Sequence, residues 1–233
     1  MVRLRLISSK LCPFAQRNLI VLREKHVEVE VVWVDLFDKP DWLFKLNPAG
    51  KVPLLEVDSD LLAESNVISE FLEEVFLRPN LHPDTPVRRA IHRMWIEAVS
   101  PLNLDVHRIM MAPDESTAME AVAAVRQRLT TLERHIGDGP LFTGAELSLV
   151  DVAAAPALVR LAWCTAIEPG MNAAAGLAAV ERWQAALIAH DAVKRSMPDD
   201  VHSLWLLFLQ GGSSPKRNAP PSWLGSRSRT LDA

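Results

Sequence analysis

The chain has 233 residues, 49% of them hydrophobic, enough to bury one large core or two modest ones. Its 25 basic and 29 acidic residues leave a net charge of -4 with no long run of either sign, which argues against wrapping nucleic acid or an anionic membrane. Cys12 and Cys164 are too few for a disulfide framework, no CxxC or Cys/His metal spacing occurs, and the 7 histidines do not cluster, so no metal is expected. The first residues run straight into a charged strand. Apolar stretches such as Val152 to Val159 and Leu204 to Leu209 are far short of a membrane span, and a reducing, cytoplasmic location is expected.

Val2, Leu4 and Leu6 alternate with Arg3 and Arg5, the period of a half-exposed strand. Pro13 then suits the first helical position, and Ala15, Leu19 and Leu22 recur on one face with Arg17, Arg23 and Lys25 elsewhere. Cys12 therefore stands at the start of a helix, where unpaired N–H groups and the helix dipole favour the thiolate, the reactive form. Most free cysteines are small core residues. A Cys-Pro pair in a strand-to-helix turn instead predicts a nucleophile that titrates below an ordinary cysteine.

Glu28 to Val34, with Val29, Val31 and Trp33, reads as a second strand in βαβ order. Asp38-Lys39-Pro40-Asp41 opens a short helix carrying Trp42, Leu43 and Phe44, with Asp38 or Asp41 as N-cap, and Leu46-Asn47-Pro48-Ala49-Gly50 ends it. Pro53 to Val57 and Leu61 to Ala63 flank Asp58-Ser59-Asp60 as a hairpin. Ile68, Phe71, Leu72 and Val75 then mark a helix whose natural N-cap is Ser65.

From Arg78 to Asp84 the chain is a polar, proline-containing linker, and beyond it only helices are expected. Thr85-Pro86 caps the first, whose stripe of Ile91, Trp95, Leu102, Val106 and Ile109 is bent or divided at Pro101. A helix from about Glu115 to Ile136 stops at Gly137-Asp138-Gly139-Pro140. Ser148 and Asp151 form a capping box with Leu147 against Val152 as its staple, a structural feature. Further helices run through Trp163, from Val180 to Ile188 and from Val201 to Leu209. Cys164 sits among apolar residues and reads as core. Residues 210–233, with Trp223 and Leu224, read as an irregular tail.

Three pieces at matching spacing resemble the cytosolic glutathione transferases: Cys12-Pro13-Phe14-Ala15-Gln16-Arg17, Asn47-Pro48-Ala49-Gly50-Lys51-Val52-Pro53 and Glu64-Ser65-Asn66-Val67-Ile68. The resemblance covers roughly residues 1–209. It implies an α/β thioredoxin-like domain over 1–77, an all-α helical bundle over 85–209 and a tail over 210–233. The Cys-Pro-Phe-Ala turn, in a chain without tyrosine, is similar to the omega class and its bacterial cysteine-type relatives. Lys39-Pro40-Asp41-Trp42 is similar to the omega segment whose lysine contacts the glycine end of glutathione. Gln210-Gly211-Gly212 faintly resembles bacterial omega-like enzymes that remove glutathione from aromatic thioethers.

The resemblance implies glutathione as co-substrate. A cis bond at Val52–Pro53 would offer the Val52 N–H and C=O to its cysteinyl backbone, and Ser65 at a helix start would take the γ-glutamyl carboxylate. Glu64 would take the ammonium, Lys39 or Lys51 the glycyl carboxylate, and Phe14 lies in the turn beside the sulfur. Met at helical spacing is more often core than ligand, yet His107, Arg108, Met110, Met111 and Trp163 are the expected lining for a hydrophobic or aromatic second substrate. The implied chemistry is thiol transfer, dehydroascorbate reduction or glutathione removal through a mixed disulfide on Cys12. Glutathione conjugation and a non-catalytic role like that of the stringent starvation proteins are the alternatives. A homodimer is also implied.

Overall fold

The computed structural model describes residues 3–211 and Leu224; Val2 and the rest of the tail, with Trp223, lie outside them. Strand β1 (Leu4–Ser8) leads into helix α1 (Pro13–Glu24), followed by β2 (Glu30–Trp33), α2 (Asp41–Leu46), β3 (Leu54–Val57), β4 (Asp60–Ala63) and α3 (Ser65–Val75). The sheet order is β2-β1-β3-β4, with β1 parallel to β2 and antiparallel to β3. The βαβ unit thus supplies the parallel pair and the hairpin the rest.

The remainder is helical: α4 (Pro86–Val99), α5 (Leu102–Met111), α6 (Glu115–Glu133), α7 (Leu149–Ile167), α8 (Ala178–Ala189), α9 (Asp191–Arg195) and α10 (Val201–Leu209). Pro101 divides α4 from α5, and Thr85 caps α4 by accepting from Arg88 N–H. At the start of α7 the capping box is complete. Ser148 Oγ accepts from Asp151 N–H, and the buried Asp151 carboxylate accepts from the N–H groups of Ser148 and Phe142, the Ser148 hydroxyl and Trp183 Nε1. Leu147 and Val152 are both buried in the main core. By length and composition α7 could cross a membrane, but 78% of its most apolar stretch is buried inside the protein.

Local expectation failed in five places. No aspartate caps α2: its N-cap is Pro40 and Asp41 is already helical. Ser65 is not a cap either, because Glu64 holds the N-cap with a left-handed φ of 71° and Ser65 is the first helical residue. Helix α1 is buried from Ala15 to Leu22, including Arg17, and Lys25 is buried in an ion pair with Glu73 at 2.6 Å, since helices pack on it from both halves of the chain. In α4 the buried residues are His92, Ile96 and Val99, while Ile91 is exposed. Helix α6 ends at Glu133, short of Ile136. Cys164 is buried in the main core as expected, and so is Leu224.

Candidate functional site

Cys12 ends the β1–α1 turn. Its N–H donates to Ser9 O at 3.1 Å, its C=O accepts from Gln16 N–H at 3.1 Å, and Pro13 takes the first helical position. Arg160 reaches the turn from α7, donating to Leu11 O (3.2 Å) and Gln16 Oε1 (2.7 Å). The helical half therefore fixes the turn that carries the thiol.

Facing Cys12 is the loop from Asn47 to Pro53. Asn47 organises it, accepting from Ala49 N–H at 3.2 Å and donating from its side chain to Lys51 O at 3.1 Å. Gly50 has a φ of +57°, and a Cβ there would come within 2.6 Å of the Phe44 ring, so glycine is required twice over. The Val52–Pro53 peptide is cis, and the Cys12 thiol donates to Val52 O at 3.7 Å.

Between this loop, the Cys12 turn and the start of α3 lies a cavity of about 430 Å³. Cys12, Phe14, Lys39, Lys51, Val52, Pro53, Glu64 and Ser65, eight residues singled out from the sequence, all line it. Leu36, Asn47, Gly50, Ala63 and Leu104 complete the wall; Asn47 and Gly50 belong to the motif before the third strand and Ala63 ends the hairpin, while Leu36 and Leu104 carried no sequence signal. The walls carry Lys39, Lys51, Glu64 and the N-terminus of α3, a set of charges suited to a ligand with two carboxylates and an ammonium.

The side chain of Arg17 lies under this floor, where sequence periodicity placed it on the polar side of α1. It donates to Ser65 Oγ, Asn66 Oδ1, Ala153 O and Ser100 O, and sits 5.1 Å from the centre of the Phe14 ring. Burial lowers the pKa of Arg17 and of Arg160 to about 10, against the pull of Cys12 on both. The thiol itself departs from expectation. Burial pushes Cys12 above an ordinary cysteine, outweighing the N–H groups of Ala15 and Phe14 and the guanidinium groups of Arg160 and Arg17, which favour the thiolate.

The residues expected for a second substrate are not brought together around Cys12. His107 stacks on Phe208, which stacks in turn on Phe37, with ring centroids at 6.4 and 5.7 Å. Arg108 pairs with Asp105 at 3.0 Å, with its side chain 70% exposed. Met110 is buried in the core, Met111 is exposed, and Trp163 packs against both His202 and Trp205, which stack on each other. Separate helices bear these residues, and their relative rotation is a tertiary property. A different cavity, about 230 Å³, adjoins the first across Leu36, which lines both. Ser9, Lys10, Leu11, Trp33, Phe37 and Leu204 surround it, and Lys10 at its edge pairs with Asp200 at 2.6 Å.

Residues 11–75 match the family described as Glutathione S-transferase, N-terminal domain, and residues 93–186 match Glutathione S-transferase, C-terminal domain. The chain is 32% identical over 161 residues to mouse (Mus musculus) glutathione S-transferase omega-1, covering 68% of this chain and 67% of that one. It is 30% identical over 210 residues to probable glutathione S-transferase DHAR1, cytosolic, of Oryza sativa subsp. japonica, covering 89% and 91%. Among solved structures, glutathione transferase Omega 3C from Trametes versicolor superposes with a TM-score of 0.73 at 31% identity, covering 84% of this chain and 89% of that one. Rice GST1 (OsGSTU1) in complex with glutathione superposes with a TM-score of 0.76 at 28% identity, covering 89% and 96%.

Proposed function

The chain belongs to the glutathione S-transferase family, and from that premise we propose that it is an omega-like, cysteine-type thiol transferase or glutathione lyase. The Cys12 thiolate attacks the glutathione sulfur of a mixed disulfide, the S–S bond breaks, and the partner thiol leaves as thiolate. In a thioether the carbon group departs instead with the electron pair, which an adjacent carbonyl stabilises, and takes up a proton. Cys12 is left disulfide-bonded to glutathione. A second glutathione thiolate attacks that disulfide, releasing oxidised glutathione and the Cys12 thiolate. Dehydroascorbate reduction belongs to the same class of chemistry.

The observation that supports this reading is the convergence of Cys12 with Phe14, Lys39, Lys51, Val52, Pro53, Glu64 and Ser65 on one cavity. Glutathione would lie with its cysteinyl backbone along Val52, its γ-glutamyl carboxylate at Ser65, its ammonium at Glu64 and its glycyl carboxylate at Lys39 or Lys51. The second substrate, hydrophobic or aromatic, would occupy the cavity across Leu36, beside Trp33, Phe37 and Leu204. On this reading residues 1–77 bind glutathione, 85–209 supply the α10 wall of the second site, and 210–233 are a tail. Intact mass after treatment with oxidised glutathione tests it. One added glutathione, absent from Cys12→Ser, is expected, and an unmodified wild type would overturn the covalent mechanism.

One observation favours a second reading, conjugation of glutathione to electrophiles. Burial pushes the Cys12 thiol up and so favours its protonated form, and a protonated thiol would donate to a bound glutathione thiolate instead of attacking. We also propose a homodimer, supported by exposed Val67 and Val75 on α3 and Val87, Ile91 and Met94 on α4. A cytoplasmic location fits its two free, buried cysteines.

A further inference from the structure

Two sets of groups compete for the Cys12 sulfur. As a thiol it donates to Val52 O at 3.7 Å. As a thiolate it would be favoured by the N–H groups of Phe14 and Ala15, yet the sulfur makes no capping hydrogen bond to α1. The residue is 7% exposed, so few waters compete with the Val52 carbonyl for its S–H, although the proton can still leave to solvent. A thiol is a weak donor, however, and an amide N–H arriving at the same carbonyl is a stronger one. Val52 lines the cavity beside Cys12, and it is the residue whose backbone the cysteinyl amide of glutathione would meet.

We propose that a glutathione backbone docking on Val52 activates Cys12 by claiming the carbonyl to which the thiol donates, so that the nucleophile ionises only with a substrate in place. The proposal rests on the reading of this cavity as a glutathione site. In the step the S–H bond breaks, the proton passes to solvent water, and the electron pair stays on sulfur, which turns to the N–H groups of Phe14 and Ala15. Nothing is oxidised or reduced.

The charged groups around the sulfur set the background. Arg17 on its own helix and Arg160 from α7 favour the thiolate; Lys39 and Lys51 on the loops and Glu64 before α3 line the same cavity. A bound tripeptide carries two carboxylates and one ammonium, a net negative charge that opposes ionisation. A fall in the titration midpoint on binding therefore has to come from hydrogen bonding.

The probes are γ-glutamyl-α-aminobutyryl-glycine, which has a methyl where glutathione has its thiol, and the same peptide methylated on the aminobutyryl nitrogen. The second keeps every charge but has no N–H for Val52. Thiolate absorbance near 240 nm is titrated with Cys12→Ser as the blank. The chain has no tyrosine to ionise in that window, and Cys164, pushed up to about 12 by burial, stays silent. Saturation with the parent peptide is expected to give about tenfold more thiolate at a pH below the free midpoint, and the methylated peptide no gain. At low pH the infrared S–H stretch of Cys12 is expected to move to higher frequency with the parent peptide, as its acceptor is lost.

An unmoved titration with the parent bound, equal gains from both peptides, or an S–H stretch that keeps its hydrogen-bonded frequency would each overturn the gate. Calorimetry run first separates the two readings. Absence of any binding heat from the parent peptide sinks the glutathione site itself, and the gate with it.

Discussion

Arg17 props Ser65 from below: its Nη1 donates to the serine hydroxyl at 3.3 Å and to Asn66 Oδ1 at 3.0 Å, with the residue 2% exposed. The hydroxyl oxygen is thereby committed as an acceptor, and its proton is left to point at an incoming carboxylate. A buried cation behind the hydroxyl also strengthens it as a donor to an anion.

Ser65→Ala is therefore expected to weaken glutathione binding by roughly 1 to 3 kcal/mol, the range for a hydrogen bond to a charged group. Because Ser65 caps no helix, the fold should lose only about 1 kcal/mol, as Arg17 keeps three other acceptors. Calorimetry with glutathione measures the first quantity and urea denaturation the second. Unchanged affinity would move the carboxylate elsewhere.

Cys12→Ser separates the two chemistries. A serine hydroxyl cannot form a mixed disulfide but can donate to a glutathione thiolate. Turnover of glutathione mixed disulfides should fall by several orders of magnitude with glutathione binding retained, while conjugation of a reactive aryl halide, if present, should survive. Wild-type reduction rates in the variant would sink the covalent mechanism.

Trp33 is the largest side chain facing the cavity across Leu36 and is partly open to solvent. Trp33→Ala should raise KM for S-aryl or S-phenacyl glutathione substrates about tenfold, equivalent to about 1.4 kcal/mol, and leave a small aliphatic mixed disulfide unaffected. Equal effects on both would place the second substrate elsewhere.

His92, which does not line the Cys12 cavity, gives stability a pH dependence. Burial, then His82 and Arg88, lower its pKa from 6.5 to about 4. Between those values the unfolded chain binds a proton that the folded chain refuses, so stability should fall as pH drops from 6.5 to 4, by up to about 3 kcal/mol. Urea midpoints across that range check it, and His92→Gln should flatten the slope.

Light scattering should give twice the monomer mass. Ile91→Glu together with Met94→Glu should shift the protein to monomer at micromolar concentration, because charges on an apolar face lose their hydration when it is covered. A wild-type monomer would leave the exposed apolar side chains of α3 and α4 without this explanation.

Elements whose signals are local could be read from the chain. Pro13, Thr85-Pro86 and the Ser148–Asp151 pair each set a helix start through the first turn alone, and the βαβ spacing gives the parallel β1–β2 pair, whereas the pairing of β1 with β3 is a tertiary property. The residues that line the Cys12 cavity stood out because they sit on three short segments with strong turn chemistry. Ser65 was misplaced by one position because Glu64 adopts a left-handed φ, and nothing in a glutamate announces that. The periodicity of α1 sets Arg17 off the apolar face and cannot show its burial, because its buried acceptors come from α3, Ser100 and α7, remote in sequence. Helix α9 is only five residues long, too short for periodicity to reveal. The thiol's upward shift followed the same pattern, for a helix N-terminus is visible in the sequence and the burial that outweighs it is not.

The reach of Arg160 from α7 to Leu11 O and Gln16, with Gln16 in turn donating to Ser196 Oγ, bears on how this protein can be taken apart. Expressed as a fragment, residues 1–77 would present the outer face of α1 to water and lose the guanidinium that fixes the Cys12 turn. A chimera joining this first half to a relative's helical half would have to restore an arginine four residues after the helix proline, at the place of Pro156 and Arg160, and a small residue opposite Arg17 at Ala153. The boundary at the linker is a seam in the chain but not in the packing around Cys12, and a first half cut there is expected to lose the fixed geometry of that turn.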